Sequence, residues 1–227
     1  MTAHFSNSSE AAGELAEAVA VGHPSGAYRN ALKRLFDVGF VLATGVVILP
    51  VVMMVSLVIL VFDGHSPFFF QQRVGKDGRT FWMVKLRSMV PDADRRLAAY
   101  LRVNAAARAE WQRDQKLRDD PRITRVGRFI RKTSLDELPQ FWNVLCGDMS
   151  VVGPRPMMPP QRDLYPGQAY YRMRPGVTGY WQVGDRHNTS FAARARFDAE
   201  YYRDISLPTD LRVILRTLDV VVRGTGC

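Results

Sequence analysis

An uncharged apolar run from Val38 to Phe62 constrains the fold of this chain more than any other feature of its sequence. The run contains 25 residues, and a helix of about 20 residues is enough to cross the hydrocarbon core of a bilayer. Core helices of water-soluble proteins are shorter and are seldom apolar on every side. The run therefore predicts a helix that is embedded in a membrane.

Pro50 lies in the middle of this run and predicts a kink, because an internal proline removes a backbone hydrogen bond and clashes with the preceding turn. Lys33 and Arg34 precede the run, and a basic segment that reaches Arg87 follows it. Since basic flanks favour the cytoplasm, both ends of the helix should lie on the same side of the membrane. We therefore predict a re-entrant helix that enters the bilayer, bends at Pro50 and returns.

The overall composition fits one domain of moderate size with anionic partners. The chain has 227 residues and a formal net charge of +9, which indicates nucleic acid, anionic lipid headgroups or phosphorylated small molecules. It has no helix-turn-helix, RNA-recognition or zinc-finger pattern, so no nucleic-acid partner is predicted. Two cysteines, Cys146 and Cys227, and four scattered histidines argue against a disulfide framework and a zinc site.

The chain divides into three parts. Residues 1–30 are rich in Ala, Ser, Gly and Glu and are predicted to form a mobile N-terminal tail. Residues 31–63 hold the membrane-embedded helix, and residues 64–227 are predicted to form a single cytoplasmic domain. The fold class that we predict is α+β and mainly helical, with a small β-hairpin and amphipathic helices at the membrane interface.

Three local patterns place elements in the cytoplasmic part. Asp77-Gly78 between two apolar, aromatic-rich runs predicts the β-hairpin. Residues 92–118 are rich in Ala, Leu and Arg, contain no Pro or Gly, and predict one helix. This helix either lies on the membrane surface or is an ordinary solvated helix. Pro208-Thr-Asp opens an amphipathic helix over residues 208–223.

The adjacent acids Asp136 and Glu137 allow two interpretations. Ser134 and Glu137 match a capping box at the start of a helix. Pro139 argues against a helix that begins at Ser134, because a proline past the first turn costs a hydrogen bond. Pro139 could instead be the first residue of a helix that begins near 139. Alternatively, the pair is catalytic. Neighbouring helical residues point about 100° apart, so one carboxylate can attack phosphorus while the other holds a metal ion.

A run of basic residues precedes the acidic pair. Guanidinium groups bind phosphate oxygens in a bidentate manner, so the run suits a diphosphate or a lipid phosphate. A basic surface that faces the membrane explains it equally well. The run consists of Arg122, Arg125, Arg128, Arg131 and Lys132.

Together, several motifs strongly resemble those of the bacterial sugar transferases, the monotopic polyprenyl-phosphate hexose-1-phosphate transferases. The resemblance extends from about residue 31 to the C-terminal helix and is closest to the short form associated with the start of exopolysaccharide synthesis. The motifs are Lys33-Arg-Leu-Phe-Asp37, Lys85-Leu-Arg-Ser-Met89, Arg131-Lys-Thr-Ser-Leu-Asp-Glu-Leu-Pro-Gln140, Asn143, Gly147-Asp-Met-Ser-Val-Val-Gly-Pro-Arg-Pro156, Arg174-Pro-Gly-Val-Thr-Gly179 and Asp198.

This resemblance implies a reaction between a UDP-sugar, with glucose or galactose as the sugar, and polyprenyl (undecaprenyl) phosphate. Asp136 would attack the sugar-proximal phosphorus and release UMP, and the lipid phosphate would then take the phospho-sugar from the enzyme. Glu137 would hold Mg²⁺. The resemblance also implies location at the bacterial inner membrane, with the catalytic domain on its cytoplasmic face.

The same resemblance assigns five further positions to substrate binding. Arg155 and Arg174 would bind phosphate or the nucleotide, and Lys85, Arg131 and Asp198 match motif positions without a defined role. Structural roles remain open for some of them, since Arg155 could stabilise a turn and Asp198 could pair with a neighbouring arginine.

Two other functions explain part of the sequence. A glycosyl transferase that releases UDP would use the same substrates, and a non-catalytic adaptor that binds anionic membrane phospholipids would explain the apolar helix and the positive charge. An adaptor leaves Asp136 and Glu137 unexplained. The sequence leaves open whether the chain forms a homodimer.

Overall fold

The computed structural model describes residues 26–114, 117–184 and 191–222, and within these ranges the protein is mainly helical, as predicted. The helices are α1 (Lys33–Asp63), α2 (Ala93–Val103), α3 (Ala105–Asp114), α4 (Arg125–Lys132), α5 (Gln140–Cys146), α6 (Tyr180–Val183), α7 (Arg194–Asp204) and α8 (Leu207–Val222). The strands are β1 (Phe68–Val74), β2 (Thr80–Leu86), β3 (Ser150–Val152) and β4 (Gly176–Thr178).

Helix α1 contains the apolar run and continues on both sides of Pro50. In the part of the chain that the structure describes, it is the one helix that is long and apolar enough to cross a membrane. Much of its apolar surface is uncovered, with Val46 78% and Phe62 75% exposed. The re-entrant path and the three-part division of the chain stay predictions. Nearly all of the predicted tail, residues 1–25, lies outside the described residues.

Both halves of α1 pack against the rest of the protein. Val41, in the first half, joins a hydrophobic core with residues of β2, β3, α5, α7 and α8. Ile59, in the second half, is fully buried in another core that includes residues of β2 and α4. The last residue of the helix, Asp63, accepts a hydrogen bond from Thr124 Oγ1 at 2.8 Å. The helix is therefore attached to the domain at both of its ends.

Buried charges fix the beginning of α1. Lys33 Nζ lies 2.7 Å from Asp210 Oδ2 in α8, and Asp210 is fully buried. One turn later, the carboxylate of Asp37 accepts hydrogen bonds from Ser150 Oγ and Val151 N in β3. Buried carboxylates need such partners, so the Lys33–Asp37 motif has a structural role in joining α1 to the domain.

The hairpin prediction is confirmed, because β1 and β2 pair in antiparallel fashion around Asp77-Gly78. Both turn residues have positive φ, 57° at Asp77 and 75° at Gly78, as a type I′ turn requires. Asn143 of α5 binds the free edge of β2: its Oδ1 accepts from Val84 N, and its Nδ2 donates to Trp82 O. The hairpin is therefore held against α5.

The prediction of one helix over residues 92–118 is wrong, because the chain breaks at Asn104 into α2 and α3. Asn104 has an extended backbone, with φ −118° and ψ 101°. Its Oδ1 accepts a hydrogen bond from Ala107 N at 3.0 Å, which caps the start of α3. A residue that prefers a helix cap therefore prevails over an otherwise continuous helical pattern.

A second, two-stranded sheet is parallel and was not predicted. Ser150 pairs with Gly176 and Val152 with Thr178. A Cβ on Gly176 would lie 2.1 Å from the backbone nitrogen of Gly153, so this close approach of two chain segments requires glycine.

The C-terminal helix is confirmed as α8, with Pro208 in its first turn. Val213 is buried in the core around β3. The opposite face carries three exposed leucines, Leu211, Leu215 and Leu218. The helix is amphipathic, as predicted.

Candidate active site

The acidic pair lies on a short 3₁₀ turn, Leu135–Glu137, between α4 and α5. Ser134 has the left-handed conformation, with φ 56°, and its side chain makes no capping hydrogen bond. The capping-box interpretation is therefore wrong, since an N-cap residue needs an extended backbone. Pro139 directly precedes α5, in agreement with the alternative that it begins a new helix.

Lys85 of β2 contacts both acids. Its Nζ lies 2.7 Å from Glu137 Oε1 and 4.0 Å from Asp136 Oδ2. All three side chains are largely but not completely buried. The structure thus unites three residues that the sequence analysis assigned to the site.

Arg155 joins this group from the Gly-Pro-Arg-Pro loop that follows β3. Its NH2 atom lies 3.7 Å from Glu137 Oε1, and its guanidinium packs 5.6 Å from the centre of the Trp181 ring. Arg155 keeps about a third of its side chain exposed. A partly exposed guanidinium beside two carboxylates is suited to bind an anionic ligand that enters the group.

Lys85, Glu137 and Arg155 line a small open cleft, and Asp136 lies beside Lys85 without lining the cleft itself. The cleft is bordered by the β-hairpin, the turn with the acidic pair, the loop around Arg155 and strand β4. Its lining residues are Arg73, Met83, Lys85, Glu137, Gln140, Arg155, Pro156, Gly176 and Val177.

The electrostatics of Asp136 reflect its burial among cations. Burial raises the pKa of the Asp136 carboxyl above its ordinary value, and the neighbouring Glu137 acts in the same direction. Lys85, Arg131 and Arg155 oppose this rise. Asp136 is therefore a carboxylate with little water around it and with positive charge nearby, which is the environment of a reactive nucleophile.

Arg131 acts on this site through its charge, at the end of α4, and does not line the cleft. Arg122, at the start of the same basic run, has a different role. Arg122 forms a bidentate ion pair with Asp120 and packs over Trp111. Within the basic run, Arg122 therefore belongs to an internal ion pair, whereas Arg131 acts on the acids.

Arg174 and Asp198 do not line the cleft. Arg174 Nε donates to the carbonyl oxygen of Gly147 at 2.8 Å, just beyond the C-terminus of α5, where a cation is favoured. Asp198 is buried in α7 and accepts a hydrogen bond from Tyr165 Oη at 2.7 Å. Their assignment to substrate binding stays a prediction, and both contacts are structural.

Arg73 and Gln140 line the cleft and were missed by the sequence analysis. In the hairpin register Arg73 pairs with Phe81 and Phe69 pairs with Lys85. Strand residues alternate between faces, so Arg73 and Lys85 share one face of the hairpin. The Asp77-Gly78 turn, from which this register follows, was the signal that could have identified Arg73.

The carboxylates of Asp136 and Glu137 fit a magnesium ion only as part of a larger ligand set. Among the described residues, no three Asp, Glu, His or Cys side chains cluster in a metal-binding arrangement. Mg²⁺ is commonly held by one or two protein carboxylates together with substrate phosphate oxygens and water. The donors present therefore suit an ion that arrives with a phosphorylated substrate.

The profile of the bacterial sugar transferase family matches residues 28–224. The chain is 46% identical over 201 residues to a UDP-galactose-lipid carrier transferase of Erwinia amylovora, with 86% of this chain and 41% of that protein covered. It is 41% identical over 196 residues to the exopolysaccharide production protein ExoY of Sinorhizobium fredii, with 86% and 87% covered.

An undecaprenyl-phosphate galactose phosphotransferase of Salmonella typhimurium is 44% identical over 198 residues, with 86% of this chain and 41% of that protein covered. The chain thus spans about two fifths of the Erwinia and Salmonella relatives and most of the ExoY relative.

Proposed function

Since this chain belongs to the bacterial sugar transferase family, we propose that it transfers a hexose 1-phosphate from a UDP-sugar to polyprenyl phosphate and releases UMP. The names of its relatives mention a lipid carrier, undecaprenyl phosphate, a galactose phosphotransferase and exopolysaccharide production. The observation that carries the proposal is the position of Asp136 and Glu137 beside a cleft, in contact with Lys85 and near Arg155.

In the first step, a carboxylate oxygen of Asp136 attacks the phosphorus that bears the sugar. The new bond joins Asp136 to this phosphorus, and the bond from phosphorus to the bridging oxygen of the diphosphate breaks. The electron pair leaves with that oxygen on UMP. The products are UMP and an aspartyl phospho-sugar on the enzyme.

In the second step, an oxygen of the lipid phosphate attacks the same phosphorus. The bond between phosphorus and Asp136 breaks, which regenerates the carboxylate and forms a polyprenyl diphosphate sugar. Both attacking groups are ionised oxygens, so neither step requires a general base.

The residues around Asp136 have complementary roles. Lys85, at 4.0 Å, favours the ionised carboxylate that attack requires, against the effect of burial. Arg155 stabilises negative charge that develops on the diphosphate as the bond breaks. Bound at Glu137, Mg²⁺ would neutralise phosphate charge.

The attachment of α1 supports a location at the cytoplasmic face of the inner membrane. Both ends of α1 contact the domain, so a straight span with the domain on one side conflicts with these contacts. The exposed leucines of α8 provide a further apolar surface at the interface. A donor from water and an acceptor from lipid can then meet at headgroup level.

Nucleotide release from a panel of UDP-sugars tests the proposal. Detergent-solubilised protein with Mg²⁺ and undecaprenyl phosphate should release UMP from at least one donor. Asp136→Asn should lower this rate by roughly 10³-fold or more, because it removes the nucleophile. The matched control is Asp119→Asn, at an exposed position, which should leave the rate unchanged.

A covalent intermediate gives an independent readout. With a donor radiolabelled in the sugar and no acceptor, label should remain on the denatured wild-type protein and be absent from Asp136→Asn. Release of UDP would instead identify a glycosyl transferase, and no release with any donor would favour the adaptor.

A further inference from the structure

Arg73 lies in the cleft at a distance from the acidic pair. Phe81, its partner in the hairpin, is four residues from Lys85, which is about 13 Å along an extended strand. Helix α1 leads into the Phe68 end of β1, and Arg73 lies at the other end of the hairpin, toward the Asp77-Gly78 turn. The cleft thus extends from a carboxylate end at Lys85 to a cationic end at Arg73.

The side chain of Arg73 is incompletely satisfied. Its NH1 donates to Pro156 O at 3.2 Å and its NH2 to Gln71 Oε1 at 2.6 Å, but its Nε is buried and has no hydrogen-bond partner. A buried, unpaired guanidinium NH is costly, and an anion in the cleft would relieve that cost. Glu137 favours the charged form of Arg73, but no group accepts a hydrogen bond from its buried Nε.

Arg194 of α7 adds a third guanidinium, which does not line the cleft but lies next to Arg155. It packs 4.1 Å from the centre of the Trp181 ring, the same ring that Arg155 contacts at 5.6 Å. Its Nε is also buried without a partner. The indole therefore holds Arg155 and Arg194 close together.

The three arginines act on one another electrostatically. Burial and the nearby Arg155 together lower the pKa of Arg73 to about 10, against the opposing effects of Tyr170 and Glu137. Burial and Arg155 likewise lower the pKa of Arg194 to about 10, and Arg73 contributes to this. Mutual repulsion of this kind is relieved when an anion binds between the cations.

We propose that Arg73 and Arg194 complete, with Arg155, a second anion site that binds the phosphate of the departing nucleotide. The identity of the nucleotide rests on the proposed function. A donor diphosphate would lie with its sugar-bearing phosphate at Asp136 and its nucleotide phosphate toward Arg73. When the bond to the bridging oxygen breaks, the three guanidiniums stabilise the negative charge that the nucleotide phosphate gains. The lipid acceptor would use the opposite end of the cleft, nearer α1.

Equilibrium binding of UMP tests this inference without turnover. We expect Arg73→Gln and Arg194→Gln each to weaken UMP binding by roughly ten-fold, measured by calorimetry on the detergent-solubilised protein. The matched controls are Arg79→Gln in the hairpin and Arg196→Gln in α7, which remove the same charge from exposed positions and should bind UMP as the wild type does. Unchanged UMP affinity in Arg73→Gln and Arg194→Gln would overturn the inference.

Two further arms identify the source of the phosphate. Inorganic phosphate should compete with UMP on the wild type and less on the variants, whereas binding of farnesyl phosphate should be the same in all of them. If the variants bind farnesyl phosphate more weakly than the wild type and bind UMP equally well, the site belongs to the acceptor and the inference is wrong. If Arg73→Gln fails to fold, the test uses Arg194→Gln and Arg73→Lys instead. Because Arg73→Lys retains the positive charge, it should bind UMP more tightly than Arg194→Gln.

The outcomes separate this inference from the proposed function. Transfer activity in the wild type with equal UMP affinity in all variants retains the function and overturns the second anion site. Loss of UMP binding in the variants with no transfer by the wild type retains the anion site and contradicts the function.

Discussion

The carboxylates of Asp136 and Asp198 have different chemical environments because their neighbours differ. Asp136 is largely buried beside Lys85, with the charges of Arg131 and Arg155 nearby and the open cleft next to it. Asp198 is buried away from the cleft and is bonded to Tyr165, and burial raises its pKa to about 7. The first environment suits a reactive group, and the second affects the stability of the fold.

Asp198 should make the stability of the protein depend on pH. Its pKa is about 7 in the folded protein and ordinarily 3.8, so between these values the folded protein keeps a proton that the unfolded chain has released. Its contribution to stability is fully present below about pH 4 and is lost as pH rises through 7, an effect on the order of 4 kcal/mol at most. This contribution should lower the thermal midpoint as pH rises from about 4 to 7, and Asp198→Asn should make this fall less steep.

Asp163→Asn is the control, because Asp163 is exposed. This variant should follow the wild-type profile. Parallel profiles for the wild type and Asp198→Asn would contradict a raised pKa at Asp198.

At the scale of helices and strands, local sequence patterns predicted an element correctly wherever a single strong signal was present. The Asp77-Gly78 turn, the apolar run of α1 and the periodicity of α8 each predict an element that the structure contains. Asn104 was missed because its capping bond competes with a helical pattern, and the outcome depends on tertiary packing. The β3–β4 pair was missed because strands of three residues carry no periodicity.

The residues of the candidate site likewise divide into those that local motifs identified and those that they did not. Asp136, Glu137, Lys85 and Arg155 were identified through motifs, and the structure brings them together. Arg73 required the strand register, which the Asp77-Gly78 turn implies, and also the position of the cleft, which no local pattern contains.

Gly127 of α4 should not tolerate a side chain. A Cβ at this position would lie 1.9 Å from Ser88 O and 2.6 Å from the carbonyl carbon of Ser88. Since Ser88 O also accepts a hydrogen bond from Thr124 N, the backbone has little freedom to move. Gly127→Ala should destabilise the protein by roughly 2–4 kcal/mol, measured as a lower thermal midpoint.

Gly39→Ala is the comparison for this variant, because a Cβ at Gly39 meets nothing within 4 Å. It should unfold at the wild-type temperature or above. Equal midpoints for Gly127→Ala and Gly39→Ala would show that α4 and the strand end can separate.

At the scale of the whole molecule, the contacts of α1 bear on its path through the membrane. Single cysteines at Ala31 and Ser66, in a background without Cys146 and Cys227, report on the two flanks; both target positions are exposed. In intact spheroplasts a membrane-impermeant maleimide should label neither position, and after permeabilisation it should label both. Labelling of only one flank in intact spheroplasts would indicate a straight span and contradict the re-entrant path.

The burial of Val41 and Ile59 in two different cores has a consequence for biogenesis. A chain released from the ribosome lacks part of each core until α1 has reached its place beside β2, β3 and α4. Since the outer surface of α1 is apolar, that arrangement is stable only in contact with lipid. We therefore expect the two cores to form together with the insertion of α1 into the membrane.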